Sequence, residues 1–172
     1  MTPIKTEMEL VREDGTYPSV PLRRDMVIAS VVQTRVNGGK SEADIRRNLD
    51  YFLESIDIAQ GNGPPNDLLL FHEFPITGFS ELTREQHYNL AIEVPGPEID
   101  AVAQKAKQYS CYIVFGTYAK DLENWPGHIL HLMVMVGPEG NVVAKHWKQR
   151  NVRGLFPGSE MYTLSLIHIS EP

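Results

Sequence analysis

Short apolar runs alternate along the chain with longer segments in which apolar residues recur at helical spacing. The first run, residues 26–33 (MVIASVVQ), is rich in β-branched residues and lies between charged residues and the Asn-Gly-Gly of 37–39. These features predict a buried strand. A second buried strand is predicted over 68–71, and a third over 112–115, closing at Gly116.

Two amphipathic helices are predicted between these strands. Ser41 is the expected N-cap of the first helix, because Asp44 three residues later gives a weaker form of the capping box. Apolar residues then recur on one helical face until the Gly-Asn-Gly-Pro-Pro of 61–65, which no helix crosses. Pro97 is expected at the start of the second helix, where its missing N–H is not needed.

The last two predicted strands, 128–136 and 141–147, flank a Gly-Pro-Glu-Gly turn at 137–140. The order of strand, helix, strand, helix, strand and hairpin predicts an α/β fold with at least one parallel β-α-β step. Residues 1–25 are polar, contain prolines and show no hydrophobic period, so they are predicted to form an irregular N-terminal arm.

Composition narrows the class of protein. A chain of 172 residues with 42% hydrophobic residues fits one domain with a real core. The net charge of −6, with no run of Lys and Arg, argues against a nucleic-acid partner. The apolar stretches are too short to cross a membrane, and the polar N-terminus is not a signal peptide. Together with a single cysteine, which permits no internal disulfide, these features favour a cytoplasmic protein without a membrane partner.

A carboxylate lies where the second predicted strand ends, in the segment NDLLLFHEFPITGFS. Glu73 would be poorly solvated at the end of a buried strand, and such strand ends are where ligands usually bind in α/β sheets. On position alone, a solvated carboxylate is the simpler interpretation. His72 does not form a dyad with it, because neighbours on a strand face opposite ways. The histidines and the cysteine form no metal-ligand spacing, so neither a metal nor a cofactor is expected.

Two lysines lie on or near the last predicted strand. Lys145 and Lys148 are three residues apart, so on an extended strand they point to opposite faces. We expect one of them to be exposed and the other to face inward. Considered alone, two surface lysines on an edge strand are the simpler interpretation.

Taken together and in this order, these segments resemble the nitrilase superfamily of carbon–nitrogen hydrolases, which includes nitrilases, aliphatic amidases and carbamoylases. The resemblance runs from about residue 26 to residue 163. It includes the strand at 67–73 with its Pro/Gly loop and the turn at 140–148 (GNVVAKHWK), which matches the family's "G-x-I-V-x-K-Y-R-K". The Phe-Pro-Gly of 156–158 matches the "F/Y-x-P-G" that follows.

The resemblance implies a hydrolase that cleaves a small amide, carbamoyl compound or nitrile through a Glu-Lys-Cys triad. It makes Glu73 the general base and Lys148 the stabiliser of the tetrahedral intermediate, and we expect their side-chain ends within hydrogen-bond or ion-pair reach. The implied fold is an α-β-β-α sandwich of two sheets, of which residues 26–163 supply about the first half. Relatives commonly associate, so the parent enzyme is expected to be a homo-oligomer.

The chain departs from the family pattern at the nucleophile. The family's cysteine follows a further strand, in a motif like "x-I-C-Y-D", whereas Cys111 precedes the hairpin and is interpreted as a small buried hydrophobe. Many relatives also have a second active-site glutamate, but 151–155 contains no carboxylate, and His131 occupies a position where asparagine is frequent. A fragment without activity of its own is therefore expected. A non-catalytic scaffold relative and an acyltransferase using the same thioester step are the alternatives.

The last nine residues, 164–172 (LSLIHISEP), are what a transposase-delivered sequencing adaptor gives on translation. They are therefore predicted to be a non-native tail that packs poorly against the rest of the chain.

Overall fold

The computed structural model describes residues 25–148. The predictions on nearly all of the N-terminal arm, on 149–163 and on the tail 164–172 lie outside the described residues. The described part forms six strands and three helices. In chain order these are β1 (Ala29–Val31), α1 (Glu42–Gly61), β2 (Leu68–Leu70), α2 (Arg84–Leu90), β3 (Ile92–Glu93), α3 (Pro97–Tyr109), β4 (Tyr112–Asp121), β5 (Trp125–Val136) and β6 (Val142–Trp147).

The strands make one mixed sheet with the order β1-β2-β4-β5-β6, and β3 pairs separately with β4. β1, β2 and β4 are parallel neighbours, which confirms the predicted α/β class and its parallel β-α-β step. β4, β5 and β6 are antiparallel. β2 and β3 both pair with β4, the first over 112–114 and the second over 119–120. The segment that connects β2 to β3 lies outside the sheet, and Glu73 is near the start of this segment.

The two long helices begin where the sequence predicts. Ser41 caps α1 by accepting a hydrogen bond from the backbone N–H of Asp44, and Pro97 is the first residue of α3. The Phe52 ring of α1 packs edge-on against Phe71 and Phe115, with ring centroids 4.7 Å and 5.1 Å away. The core thus lies between the helices and the sheet. Its largest fully buried members are Phe52, Phe115, Ile56, Leu69, Ile76, Ile99, Ile113, Leu132, Val102, Val134 and Val136.

Three features differ from the prediction. β4 does not close at Gly116 but continues to Asp121, and Gly116 lies mid-strand against the backbone of Glu73. β1 contains only three residues, and Val31 at its end is 80% exposed, so the apolar run 26–33 is mostly not strand. α2 and β3 were not predicted, although Thr83 and Gln86 form a complete capping box at the start of α2.

The hairpin is confirmed, with a longer first strand than predicted. The turn is closed by hydrogen bonds from Gly137 N to Asn141 O and from Gly140 N to Gly137 O, both 2.9 Å. Gly140 adopts a φ of 77°, a left-handed conformation that glycine accepts without strain. Among the helices of residues 25–148, none is long and apolar enough to cross a membrane.

Candidate active site

Glu73 is held by the hydrogen bonds that end β2. Phe71 N donates to Val114 O at 2.8 Å, and Gly116 N donates to His72 O at 3.1 Å. The chain then turns away from β4, and Gly116 has no side chain at the point of closest approach. The position of the Glu73 backbone is therefore set by the sheet itself.

The loop that follows Glu73 is buried and anchored. Asn48 of α1 donates its side-chain amide to the carbonyls of Gly38 and Ile76, each at 3.1 Å. Tyr118 N donates to Thr77 Oγ1 at 3.3 Å, which ties the loop to β4. Ile76 itself is fully buried. A carboxylate between a sheet and an anchored loop is preorganised, as catalytic groups need to be.

Lys148 directly follows β6, the strand at the other end of the sheet order, and reaches the same place from there. Its backbone N–H donates to His131 O at 2.9 Å, which holds the residue after β6 against β5. Its Nζ then lies 2.7 Å from Glu73 Oε1. The predicted proximity of Glu73 and Lys148 is thereby confirmed. Lys145 is exposed and donates instead to Val94 O at 2.9 Å, so one lysine is exposed and the other partly buried, as predicted.

A third side chain, which the sequence prediction did not place in the site, joins this pair. His131 of β5 is buried, and its Nε2 lies 3.0 Å from the same Oε1 atom of Glu73. The pKa of His131 is lowered to about 4, because burial lowers it most, the negative Glu73 raises it and the positive Lys148 lowers it. The imidazole is therefore neutral near pH 7, and the contact is a hydrogen bond from its N–H to the carboxylate.

Aromatic rings surround the imidazole of His131. The Phe74 ring stacks on it at a centroid distance of 4.9 Å, and Tyr118, its directly opposite neighbour on β4, lies at 5.2 Å. Burial and, to a smaller extent, the negative charge of Glu73 raise the pKa of Tyr118 to about 12. His87 packs edge-on against Tyr118 at 5.3 Å. The imidazole of His131 and the phenol of Tyr118, which lie behind the carboxylate, thus carry no charge near neutral pH.

A cleft of about 270 Å³ opens in front of this wall, lined by Glu73, His131, Leu132, Met133, His146 and Lys148. It places one carboxylate and one ammonium beside an apolar floor. The carboxylate can accept a proton, and the ammonium can stabilise negative charge that develops on a bound molecule.

Cys111 lies away from the cleft. It is fully buried and precedes Gly116 by five residues on the extended chain of β4, which is roughly 16 Å. Burial, above all, raises the pKa of its thiol, although a hydrogen bond with Gln60 acts the other way. His72 also stays apart, because its Nδ1 accepts from Phe74 N at 3.2 Å. The interpretation of Cys111 as a buried hydrophobe agrees with this placement.

Known carbon-nitrogen hydrolases and amidases have similar sequences or folds. The carbon-nitrogen hydrolase family model matches residues 28–163. A formamidase of Bacillus cereus (strain B4264) is 26% identical over 123 residues, which are 70% of this chain and 36% of the formamidase. The chain thus spans about a third of the length of the curated relatives that it matches.

Two solved structures share the fold. The carbon-nitrogen hydrolase from Helicobacter pylori G27 has a TM-score of 0.64 at 13% identity, over 81% of this chain and 44% of that one. An N-terminal amidase has a TM-score of 0.59 at 20% identity, over 73% of this chain and 28% of that one. Since the family model covers most of the sequence, including Glu73 and Lys148, the chain belongs to the carbon-nitrogen hydrolase family.

Proposed function

We propose that the enzyme built on this chain hydrolyses the carbon–nitrogen bond of a small linear amide, carbamoyl compound or nitrile. Glu73 acts as general base, and Lys148 stabilises the tetrahedral intermediate. The observation that carries the proposal is the 2.7 Å contact between Lys148 Nζ and Glu73 Oε1 at the edge of an open cleft. The formamidases among the relatives support an amide as the substrate class.

For an amide, the proposed reaction runs through a thioester. Glu73 accepts the proton of a cysteine thiol while the sulfur attacks the amide carbon. Lys148 donates a hydrogen bond to the oxyanion, and the proton held by Glu73 then passes to the departing nitrogen, which leaves as ammonia or an amine. Glu73 next takes a proton from water, whose oxygen attacks the thioester. As that intermediate collapses, its carbon–sulfur bond breaks and the proton held by Glu73 passes to the sulfur, which releases the carboxylic acid and restores the thiol.

The nucleophile in this proposal is a cysteine of the complete gene product that lies beyond residue 163, and not Cys111. A reactive cysteine needs a lowered thiol pKa and access to its base. Cys111 has a raised pKa, is fully buried and lies roughly 16 Å from Gly116, which contacts Glu73. We therefore propose that the 172-residue chain on its own releases no ammonia from these substrates.

The domain division is part of the same proposal. Residues 26–163 form the N-terminal part of the hydrolase domain, 1–25 form an arm, and 164–172 are a non-native tail. The family match supports this division, because it ends at residue 163, directly before the adaptor-like segment. We also propose that the complete enzyme is a cytoplasmic homo-oligomer and that its substrate is a small molecule.

The test is ammonia release by the complete gene product from short amides, carbamoyl compounds and nitriles. Glu73→Gln and Lys148→Met are each expected to lower kcat by about 10²-fold or more. Lys145→Met is the matched control, since Lys145 is a nearby lysine that contacts Val94 O and not Glu73. Full activity in Glu73→Gln, or loss of activity in Cys111→Ala without loss of folding, would overturn the assignment.

A further inference from the structure

Two donors meet one oxygen of the proposed base. Lys148 Nζ lies 2.7 Å and His131 Nε2 lies 3.0 Å from Oε1 of Glu73. Within residues 25–148 no donor contacts Oε2. We propose that His131 is a positioning residue that donates its Nε2–H to Oε1 and thereby reserves Oε2 for the proton of the nucleophile. This inference rests on the proposed function of Glu73 as the base.

The lone pairs of the carboxylate explain why Oε2 of Glu73, and not Oε1, would accept the proton. Each carboxylate oxygen accepts about two hydrogen bonds, so a lysine and an imidazole together occupy Oε1 of Glu73. A proton arriving from a thiol then finds its acceptor at Oε2. Two donors from different strands also fix the rotation of the carboxylate, which a single contact with a flexible lysine does not.

His131 holds both members of the pair. Its ring contacts Glu73, while its carbonyl accepts the backbone N–H of Lys148 at 2.9 Å. The ring itself is fixed by stacking on Phe74 and by its cross-strand neighbour Tyr118. Its position on β5, between the strand ends that carry the two charges, makes it the element that joins them.

The imidazole of His131 must be neutral if it is to position Glu73 without weakening it as a base. An imidazolium beside Glu73 would form an ion pair and weaken the carboxylate as a base. The groups that face His131 are the carboxylate of Glu73, the ammonium of Lys148 and the phenol of Tyr118; His146 lines the same cleft. Its burial against aromatic rings and the ammonium keep it uncharged, which agrees with its lowered pKa.

The test uses three variants of the complete gene product. His131→Phe keeps an aromatic ring against Phe74 and removes the donor, and His131→Gln places an amide donor near the former Nε2. His87→Phe is the matched control, because His87 is also buried and packs on Tyr118 without contacting Glu73. We expect His131→Phe to lower kcat by about 10- to 100-fold with little change in KM. His131→Gln should restore most of the loss, and His87→Phe should match the wild type.

A spectroscopic readout needs no turnover. The ¹⁵N shifts of the His131 ring should report a neutral Nε2–H tautomer from pH 5 to pH 8. A ring that titrates near its ordinary pKa, or that carries its proton on Nδ1, overturns the inference. Wild-type kcat in His131→Phe overturns it too, provided that Glu73→Gln is inactive. Activity that does not depend on Glu73 at all would instead overturn the proposed function.

Discussion

Gly116 lies in the middle of β4, and its replacement by alanine perturbs the site without changing the identity of any site side chain. A Cβ added there would lie 2.4 Å from Glu73 O, 2.7 Å from its Cα and 2.8 Å from its carbonyl carbon. These are backbone atoms, so no side-chain rotation relieves the contact. Gly116 is not among the glycines with a positive φ. The penalty therefore comes from the contact alone.

The size of the effect follows from these distances. Ordinary contact begins at 3.4 Å, so β4 and the Glu73 backbone must separate by about 1 Å. Overpacking of this kind destabilises a core by about 1–3 kcal/mol, of which alanine recovers about 0.4–1 kcal/mol by restricting the unfolded chain. We expect a net loss of about 1–2 kcal/mol in the free energy of unfolding. A shift of about 1 Å in the Glu73 carboxylate should also lower kcat by about 10²-fold.

Urea unfolding and ammonia release on the same preparations measure the two effects. Gly61→Ala is the matched control, because a Cβ there at the end of α1 has no atom within 4 Å. It should leave kcat unchanged and raise stability by up to about 1 kcal/mol. If Gly116→Ala unfolds at the wild-type urea midpoint and keeps its turnover, the close approach of β4 to Glu73 does not hold the site.

Three further predictions concern titratable groups. Because the pKa of His131 is lowered to about 4, stability should fall as the pH drops from about 6.5 to 4, and His131→Phe should flatten this fall in thermal unfolding. Asp57→Asn removes the negative charge that Lys105 and Tyr109 contact at 2.7 Å and 2.8 Å, so it should lower stability by about 0.5–1 kcal/mol in urea at pH 7. Since the pKa of Asp57 is lowered in the folded protein, that difference should decrease as the pH falls below its ordinary pKa and vanish once the pH is below the lowered pKa. Cys111 should react with a thiol reagent only after unfolding, because it is fully buried and its pKa is raised; rapid labelling of the folded protein would contradict this.

The helices that the sequence predicts well are those with local signals. The capping residue Ser41 and the leading Pro97 act within one turn of the chain, and the apolar stripes that follow them are visible without a structure. α2 was missed because it is short and polar, and His87 is its one buried residue. Gly116 was misread as a strand end because its role depends on Glu73, which is distant in sequence.

The site was predictable only in part for the same physical reason. Glu73 and Lys148 are 75 residues apart, and strand periodicity says which face a side chain takes but not what lies opposite. Their pairing was predicted through family resemblance. His131 was noticed as a departure from the asparagine of relatives, but nothing local indicates that its ring contacts a carboxylate. Only the register of β4 with β5 places it beside Tyr118 and Glu73.

The sheet order explains why the pair needs a third residue. β2 and β6 are separated by β4 and β5, and at about 4.8 Å per strand the sheet spans roughly 14 Å between them. Glu73 follows β2 and Lys148 follows β6, and their long side chains, each with several rotatable bonds, meet at 2.7 Å. Without a further contact, the loss of side-chain entropy offsets much of the contact energy of such a pair. The imidazole of His131 stacks on Phe74 and contacts Glu73, and the backbone carbonyl of His131 accepts a hydrogen bond from Lys148 N. These contacts restrict that freedom, which is what the proposed role of Glu73 as a fixed base requires.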